Sequence, residues 1–246
     1  MLNRQIIRFV CLRVFPVFLF SLTPFIASAQ DDPEYRLELG GGLGMQAYQG
    51  DFGGGVFKQL QPMGTLVAKY KPTPRTAWSA LLGFGKLKGA SQNNKTWYPE
   101  WTANPLTFST SLTTFDVRFE YNFWAYGTGR EYRGARPLAP FITMGLGLSF
   151  ASATATPQSG DSFNEKPVAF EMPLGLGVKY KVADRMNLTA EWTMHLTGSD
   201  RLDAVRDPYG IESSGLFKNT DCYSVLLVSL TYDLWAKCKT CHNDRE

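Results

Sequence analysis

Residues 115–123 alternate without interruption between bulky apolar and polar side chains. Phe115, Val117, Phe119, Tyr121 and Phe123 fall on one side; Asp116, Arg118, Glu120 and Asn122 fall on the other. Successive side chains of a strand point to opposite faces, so this segment predicts a β-strand with one oily and one ionic face. The same two-faced pattern recurs about eight times. It gives strands over about 35–48, 63–71, 78–85, 114–123, 142–150, 170–181, 187–196 and 226–234. Almost nothing between them has the 3.6-residue period of a helix that could cover the oily faces. Strands that cannot hide an apolar face from water predict an all-β fold: an eight-stranded antiparallel up-and-down transmembrane β-barrel, lipid outside and polar groups inside.

The connections support this. Pro72-Thr73-Pro74-Arg75 and Ala183-Asp184-Arg185 read as tight turns, and Gly127-Thr128-Gly129 follows the fourth strand. The polar stretches at 88–111, 153–167 and 198–221 are longer. Alternation of the two kinds predicts short periplasmic turns at one end and long extracellular loops at the other, with both termini on the periplasmic side. Tyr35, Tyr70, Trp78, Tyr126, Tyr180 and Trp235 stand at strand ends, as expected of an interfacial aromatic girdle. A soluble lipocalin-like barrel has the same alternation with the faces reversed.

The oily face carries few charges and the opposite face many glycines, among them Gly40, Gly42, Gly44, Gly83, Gly145, Gly147, Gly175 and Gly177. An eight-stranded barrel is only wide enough inside for side chains, and glycine leaves room there for long ones. An interior charge network follows, from Arg36, Glu38, Lys69, Asp116, Arg118, Glu120, Glu171, Lys179, Glu191 and Asp233. It predicts a plugged lumen without a wide pore, because enclosed charges need partners.

Composition enters mainly through the N-terminus. Arg4, Arg8 and Arg13 precede an apolar stretch at 14–26 that ends in Ala27-Ser28-Ala29, the pattern of a cleaved export signal spanning 1–29. The barrel then occupies 30–235, and 236–246 is a short periplasmic tail. Without the three leader arginines, the 25 basic residues fall to 22, equal to the 22 acidic ones. The mature chain is formally neutral and carries no signature of nucleic-acid binding. Expected partners are outer-membrane lipids, and the barrel is expected to be monomeric.

Three features bear on chemistry. His195 lies near the outer end of the seventh strand with Glu191 on the same face and Ser199 beyond. Histidine, serine and acid can form a hydrolytic set, but an inward histidine flanked by Leu196 and Thr197 reads as an interior hydrogen-bonding group. Cys238-Lys239-Thr240-Cys241-His242 matches the c-type haem attachment pattern literally, in a tail with no fold to enclose a haem. A Cys238–Cys241 disulfide or free thiols, a metal or partner contact, and haem attachment stand in that order, and Cys222 is left unpaired. No phosphate loop, zinc-protease motif or nucleotide fingerprint occurs. The chain is expected to have no catalytic residue, metal or cofactor.

Several segments resemble the PorG-like outer-membrane barrels of Bacteroidetes: the glycine-rich first strand ending Tyr48-Gln49-Gly50-Asp51, LLGFGKLKGAS at 81–91, TTFDVRFEYNFWAY at 113–126, PFITMGLGLSF at 140–150 and PLGLGVKYKVADRMNLTAEW at 173–192. That resemblance implies an eight-stranded barrel associated with type IX secretion, tying a periplasmic lipoprotein ring to the outer membrane without an active site. A ring-contacting surface would then use the periplasmic end, where Arg130, Glu131, Arg133 and Arg136 form the largest candidate patch. The alternatives are a small adhesion or envelope-stability barrel that works through its surface loops, and a lipid-modifying enzyme built around His195.

Overall fold

The computed structural model describes residues 33, 35–50, 52, 56–93, 104–127, 136–205 and 220–236. The leader with its cleavage point, the tail bearing Cys238 and Cys241, and Arg130, Glu131 and Arg133 lie outside the described residues. Among the described residues nine strands follow in order: β1 (Tyr35–Gln49), β2 (Gln61–Thr73), β3 (Thr76–Ala90), β4 (Leu106–Asn122), β5 (Leu138–Pro157), β6 (Phe163–Glu165), β7 (Val168–Ala183), β8 (Met186–Thr197) and β9 (Cys222–Ala236). Each ring strand pairs antiparallel with its neighbours; β4 pairs with β5, and β9 returns to β1. The result is a closed eight-stranded barrel. Only β6 is outside the ring, folded back on the far end of β5 through Ala153↔Glu165 and Ala155↔Phe163.

Alternation alone leaves the direction of the faces open, and burial decides it. Leu43, Leu66, Met144, Leu146, Leu176 and Val228 are each more than half exposed, whereas Asp116, Glu120, Glu171 and Asp233 are almost wholly enclosed. An ionic interior within an exposed apolar belt is the surface of a membrane-spanning barrel and the inverse of a soluble one. Closure leaves no unpaired edge, so backbone groups facing lipid find partners within the ring. Tyr70, Trp78, Tyr180, Tyr232 and Trp235 are exposed at the lower end of the belt, with Trp78 packed edge-on against Phe119 at 5.2 Å.

The strands outrun the pattern that predicted them. The segments 88–111 and 153–167, expected as polar loops, hold the end of β3, the start of β4 and the end of β5. Here the alternation is inverted. Leu87, Leu106, Phe108, Leu112, Ala151, Ala153 and Ala155 are buried inward, and Thr107, Ser109, Ser111, Ser152 and Thr156 are exposed outward. The physical reason is the solvent. Beyond the bilayer the outer face meets water, and the inner face is free to be apolar.

The connections also differ from expectation in one place. β2–β3 and β7–β8 are joined by tight turns at 74–75 and 184–185, but the β4–β5 connection spans 123–137 and is as long as the one at 91–105 on the opposite side. Part of it folds back to the barrel floor. The Tyr126 N–H donates to the Pro74 carbonyl at 3.0 Å, and the buried Tyr126 hydroxyl donates to Asn187 at 2.7 Å.

An arginine placed mid-belt should cost far more than one at its edge. Leu146→Arg is expected to lower folding stability in vesicles by about 2–4 kcal/mol, and Leu138→Arg, at the start of β5, by about 0–1 kcal/mol. Urea titration read by the heat-modifiable migration of the folded barrel measures both.

Candidate functional site

The chemistry of this chain lies inside the ring, in three stacked tiers. At the level of the tight turns, Lys71 reaches Glu38 at 2.6 Å and Asp233 at 2.7 Å, Lys181 reaches the other oxygen of Asp233 at 2.9 Å, and the Thr231 hydroxyl donates to Glu38 at 2.9 Å. In the middle tier Glu120 holds two ammonium groups, Lys179 at 2.5 Å and Lys69 at 3.1 Å, and Lys179 also lies 4.7 Å from the centre of the Phe141 ring. In the upper tier Arg118 bonds Asp116 at 2.7 Å and Glu191 at 3.1 Å. Beside it Glu171 meets His195 Nδ1 at 3.3 Å and accepts from the Tyr223 hydroxyl at 2.7 Å; His195 and Tyr223 stack at 4.4 Å.

Register makes room for these groups. On β4, Glu120, Arg118 and Asp116 face inward at alternate positions. Their neighbours on β3 are Ala77, Ser79 and Leu81, and on β5 they are Thr143, Gly145 and Gly147. A β-carbon on Gly147 would collide with the Asp116 carboxylate, and one on Gly145 with the backbone of Val117. Ala77 and Ser79 on one flank and Gly145 and Gly147 on the other thus set aside volume that the long side chains of β4 fill.

Nine of the ten residues expected in the interior network are buried in these tiers. Arg36 is not. It is exposed near the lower end of β1, two residues before Glu38. The pattern also undervalued Lys71, Lys181 and Tyr223. Lys71 and Lys181 have the strand parity of Lys69 and Lys179, which was the available signal; no sequence signal marked Tyr223 as a partner of Glu171.

His195 is enclosed and its contacts are Glu171, Tyr223, Thr193 and Arg118. Ser199 meets the Thr197 hydroxyl through its backbone carbonyl, so the described contacts do not form a serine–histidine pair. Asp116, Glu171 and His195 bring ligand atoms within 4.8 Å of one another, as a metal site would. The Arg118 guanidinium, against Asp116 and 3.5 Å from His195 Nε2, already supplies the cation of that tier. Cys222 is a free thiol beside the Gln49 carbonyl at 3.3 Å.

Above the ionic tiers the lumen turns apolar. Met63, Val67, Leu81, Leu87, Phe108, Leu112, Val225 and Leu227 pack with Phe52 and Leu202 from the outer connections. The segment around Leu202 is tied down by the Tyr48 hydroxyl, which lies in hydrogen-bond contact with Asp203 at 3.0 Å and with Asp221, and by the Leu202 N–H, which donates to Asp221 at 2.9 Å. Burial, followed by the nearby Asp203 carboxylate, pushes the Asp221 carboxyl well above its ordinary value. At the lower end, Arg136 is the one described member of the candidate partner patch. Its guanidinium lies 5.0 Å over the Trp124 ring and its N–H donates to the Ala125 carbonyl at 2.8 Å.

A family described as a domain of unknown function, DUF6089, matches residues 13–243. The chain belongs to that family. No curated protein matches this DUF6089 chain. Solved structures do. Neisserial surface protein A has 12% identity and a TM-score of 0.47, covering 80% of this chain and 97% of that one. Ail of Yersinia pestis has 9% identity and a TM-score of 0.46, covering 82% and 99%. The N-terminal barrel of Pseudomonas aeruginosa OprF has 13% identity and a TM-score of 0.42, covering 82% and 100%. The likeness concerns barrel architecture alone.

Two outcomes test the interior of the DUF6089 barrel. Glu120→Leu leaves Lys69 and Lys179 enclosed without their shared carboxylate and should cost about 3–5 kcal/mol in urea titration. Adding Lys69→Met and Lys179→Met should recover most of that loss. At the outer end, a carboxyl whose folded value is raised holds its proton more tightly when the loop is closed. The Asp221 contribution is therefore fully present in acid and lost as pH climbs from the ordinary carboxylate range through the raised value. Among the groups facing Asp221, the Asp203 and Asp200 carboxylates push it up further, whereas the hydrogen bonds from the Tyr48 hydroxyl and the Leu202 N–H pull it down without reversing the shift. Hydrogen-exchange protection at Leu202 and Ala204 should fall with rising pH, and Asp221→Asn should flatten the dependence.

Proposed function

We propose that this protein is a non-enzymatic barrel of the Gram-negative outer membrane that anchors a periplasmic assembly, as a structural component of type IX secretion. The observation that carries the anchoring role is the filled lumen. Three ionic tiers and an apolar cap occupy the ring from one end to the other, a build suited to holding position and unsuited to passing a solute. The export-signal pattern at 1–29 and the lipid-facing belt support residence in the outer membrane. The secretion role is supported by the PorG-like segments, chiefly PLGLGVKYKVADRMNLTAEW at 173–192, which spans the β7–β8 tight turn.

In this reading the belt fixes the barrel in lipid, while the turns, the 123–137 connection and the tail face the periplasm and a ring of lipoprotein subunits. The cationic residues Arg130, Arg133 and Arg136, with Glu131 among them, provide the contact; Arg136 is presented on the Trp124 ring. A second reading, a surface barrel acting through its outer face, is favoured by the extension of β3, β4 and β5 beyond the belt.

Reversing Arg130, Arg133 and Arg136 to glutamate separates the two. Anchoring predicts that periplasmic ring proteins no longer co-purify or cross-link and that cargo secretion falls, with the barrel still folded. Survival of both secretion and co-purification dismisses the docking patch. His195→Ala should leave the mass spectrum of the cell's lipid A unchanged.

A further inference from the structure

We propose that the outward face of the β3–β4–β5 extension binds the phosphorylated sugar head group of an outer-leaflet glycolipid, with Lys86 and Lys88 as phosphate ligands. The proposal rests on the outer-membrane reading and is independent of any part in secretion.

Pairing across the three strands gives a ladder of outward rows. Leu82, Phe115 and Leu148 form one row, and Phe84, Thr113 and Phe150 the next. One step further out the rows become Lys86, Ser111 and Ser152, then Lys88, Ser109 and Thr154, and finally Ala90, Thr107 and Thr156. Alternate residues of a strand advance by about 7 Å, so Lys86 follows the last aromatic row directly, and its flexible stem keeps the ammonium at the polar boundary. That depth belongs to the head groups of the leaflet whose acyl chains meet Phe84, Phe115 and Phe150.

Charge singles out the strip. Among the described residues, Lys86 and Lys88 are the only charged side chains at outward positions of the eight ring strands; the outward positions of β3, β4 and β5 carry no carboxylate. A face that merely met water would be expected to mix both signs. Here two exposed ammonium groups sit two residues apart on one strand, flanked by hydroxyls that suit a sugar. The upper rows also border a groove of about 480 Å³ lined by Lys88, Thr107, Ser109, Thr154, Thr156 and Gln61. It forms because β2 begins at Gln61 and pairs with β3 no further out than Met63↔Gly85, leaving the lysine-bearing end of β3 beyond the reach of β2. β6 borders the strip from the other side, with the Thr154 hydroxyl donating to Asn164 at 2.8 Å. Lys88 in its lining, with Lys86 one row nearer the aromatic belt, fits an anionic, lipid-borne ligand better than a neutral saccharide.

The test uses the full mature chain, folded in detergent and reconstituted into phosphatidylcholine vesicles containing monophosphoryl lipid A, its dephosphorylated counterpart, or neither. Bound glycolipid is counted by native mass spectrometry. Wild-type protein is expected to retain the phosphorylated lipid, and K86Q/K88Q to retain it about tenfold less or weaker still. R75Q, which removes an exposed cation from the β2–β3 turn at the opposite end of the barrel, should bind as wild type does. Equal retention by wild type and K86Q/K88Q, or of the phosphorylated and dephosphorylated lipids, overturns the proposal. Saturation by soluble glucosamine 1-phosphate at the affinity of the lipid overturns the membrane source. Heat-modifiable migration reports insertion separately: a chain that does not insert refutes the membrane reading itself, whereas an inserted barrel indifferent to the lysines refutes this site alone.

Discussion

Within the membrane, a ring of eight strands with lipid around it has one place to put its charges, and that place is only wide enough for side chains to fill. This constraint governs the rest of the molecule. Each carboxylate directed inward needs a cation within reach, and the tiers supply them across strands far apart in sequence: Lys71 from β2 between Glu38 of β1 and Asp233 of β9, and Glu120 of β4 between Lys69 of β2 and Lys179 of β7. Such pairs contribute little net stability over a well-packed apolar alternative, but leaving one half-made is costly. The tiers therefore act mainly on register. A slip of one residue in β4 would turn Asp116, Arg118 and Glu120 into lipid and Phe115, Val117 and Phe119 into the lumen.

The same constraint explains why the interior changes character along its axis. Within the membrane-spanning part the outer face is committed to apolar residues, so polar groups fall inward by default. Above it, water relieves the outer face. Phe108, Leu106 and Leu87 then turn inward to close the outer end around Phe52 and Leu202, while hydroxyls and two lysines take the outside. One continuous set of strands is thus a membrane barrel below and resembles a soluble one above. The lumen is closed by ionic tiers in the first part and by an apolar core in the second, and the boundary between them is where the outward lysines stand.

Much of this was legible in the chain itself. The 115–123 alternation, with its counterparts on the other strands, determined the strand positions, the class of fold and most members of the interior network, because period-two patterning and side-chain direction are local properties of a strand. The tight turns at 74–75 and 184–185 followed from proline and from an Asp-Arg break in the pattern. What failed was tied to a change of environment. The ends of β3, β4 and β5 read as polar loops from the chain alone because their alternation has the opposite sign, and the sign depends on which solvent lies outside.

The connections, aromatic strand ends and glycine-rich polar face pointed to the direction of the faces, which burial bears out, but tertiary structure alone decided which charges meet and which rows of neighbouring strands line up. Glu171 finds Tyr223 and His195, Asp221 finds Tyr48, and Arg36 falls outside the tiers that enclose Glu38. None of these follows from one strand considered alone. They depend on the register between strands and on the closure of the ring, both set jointly by all eight strands, whereas the pattern along each strand reports only that it has two unlike sides.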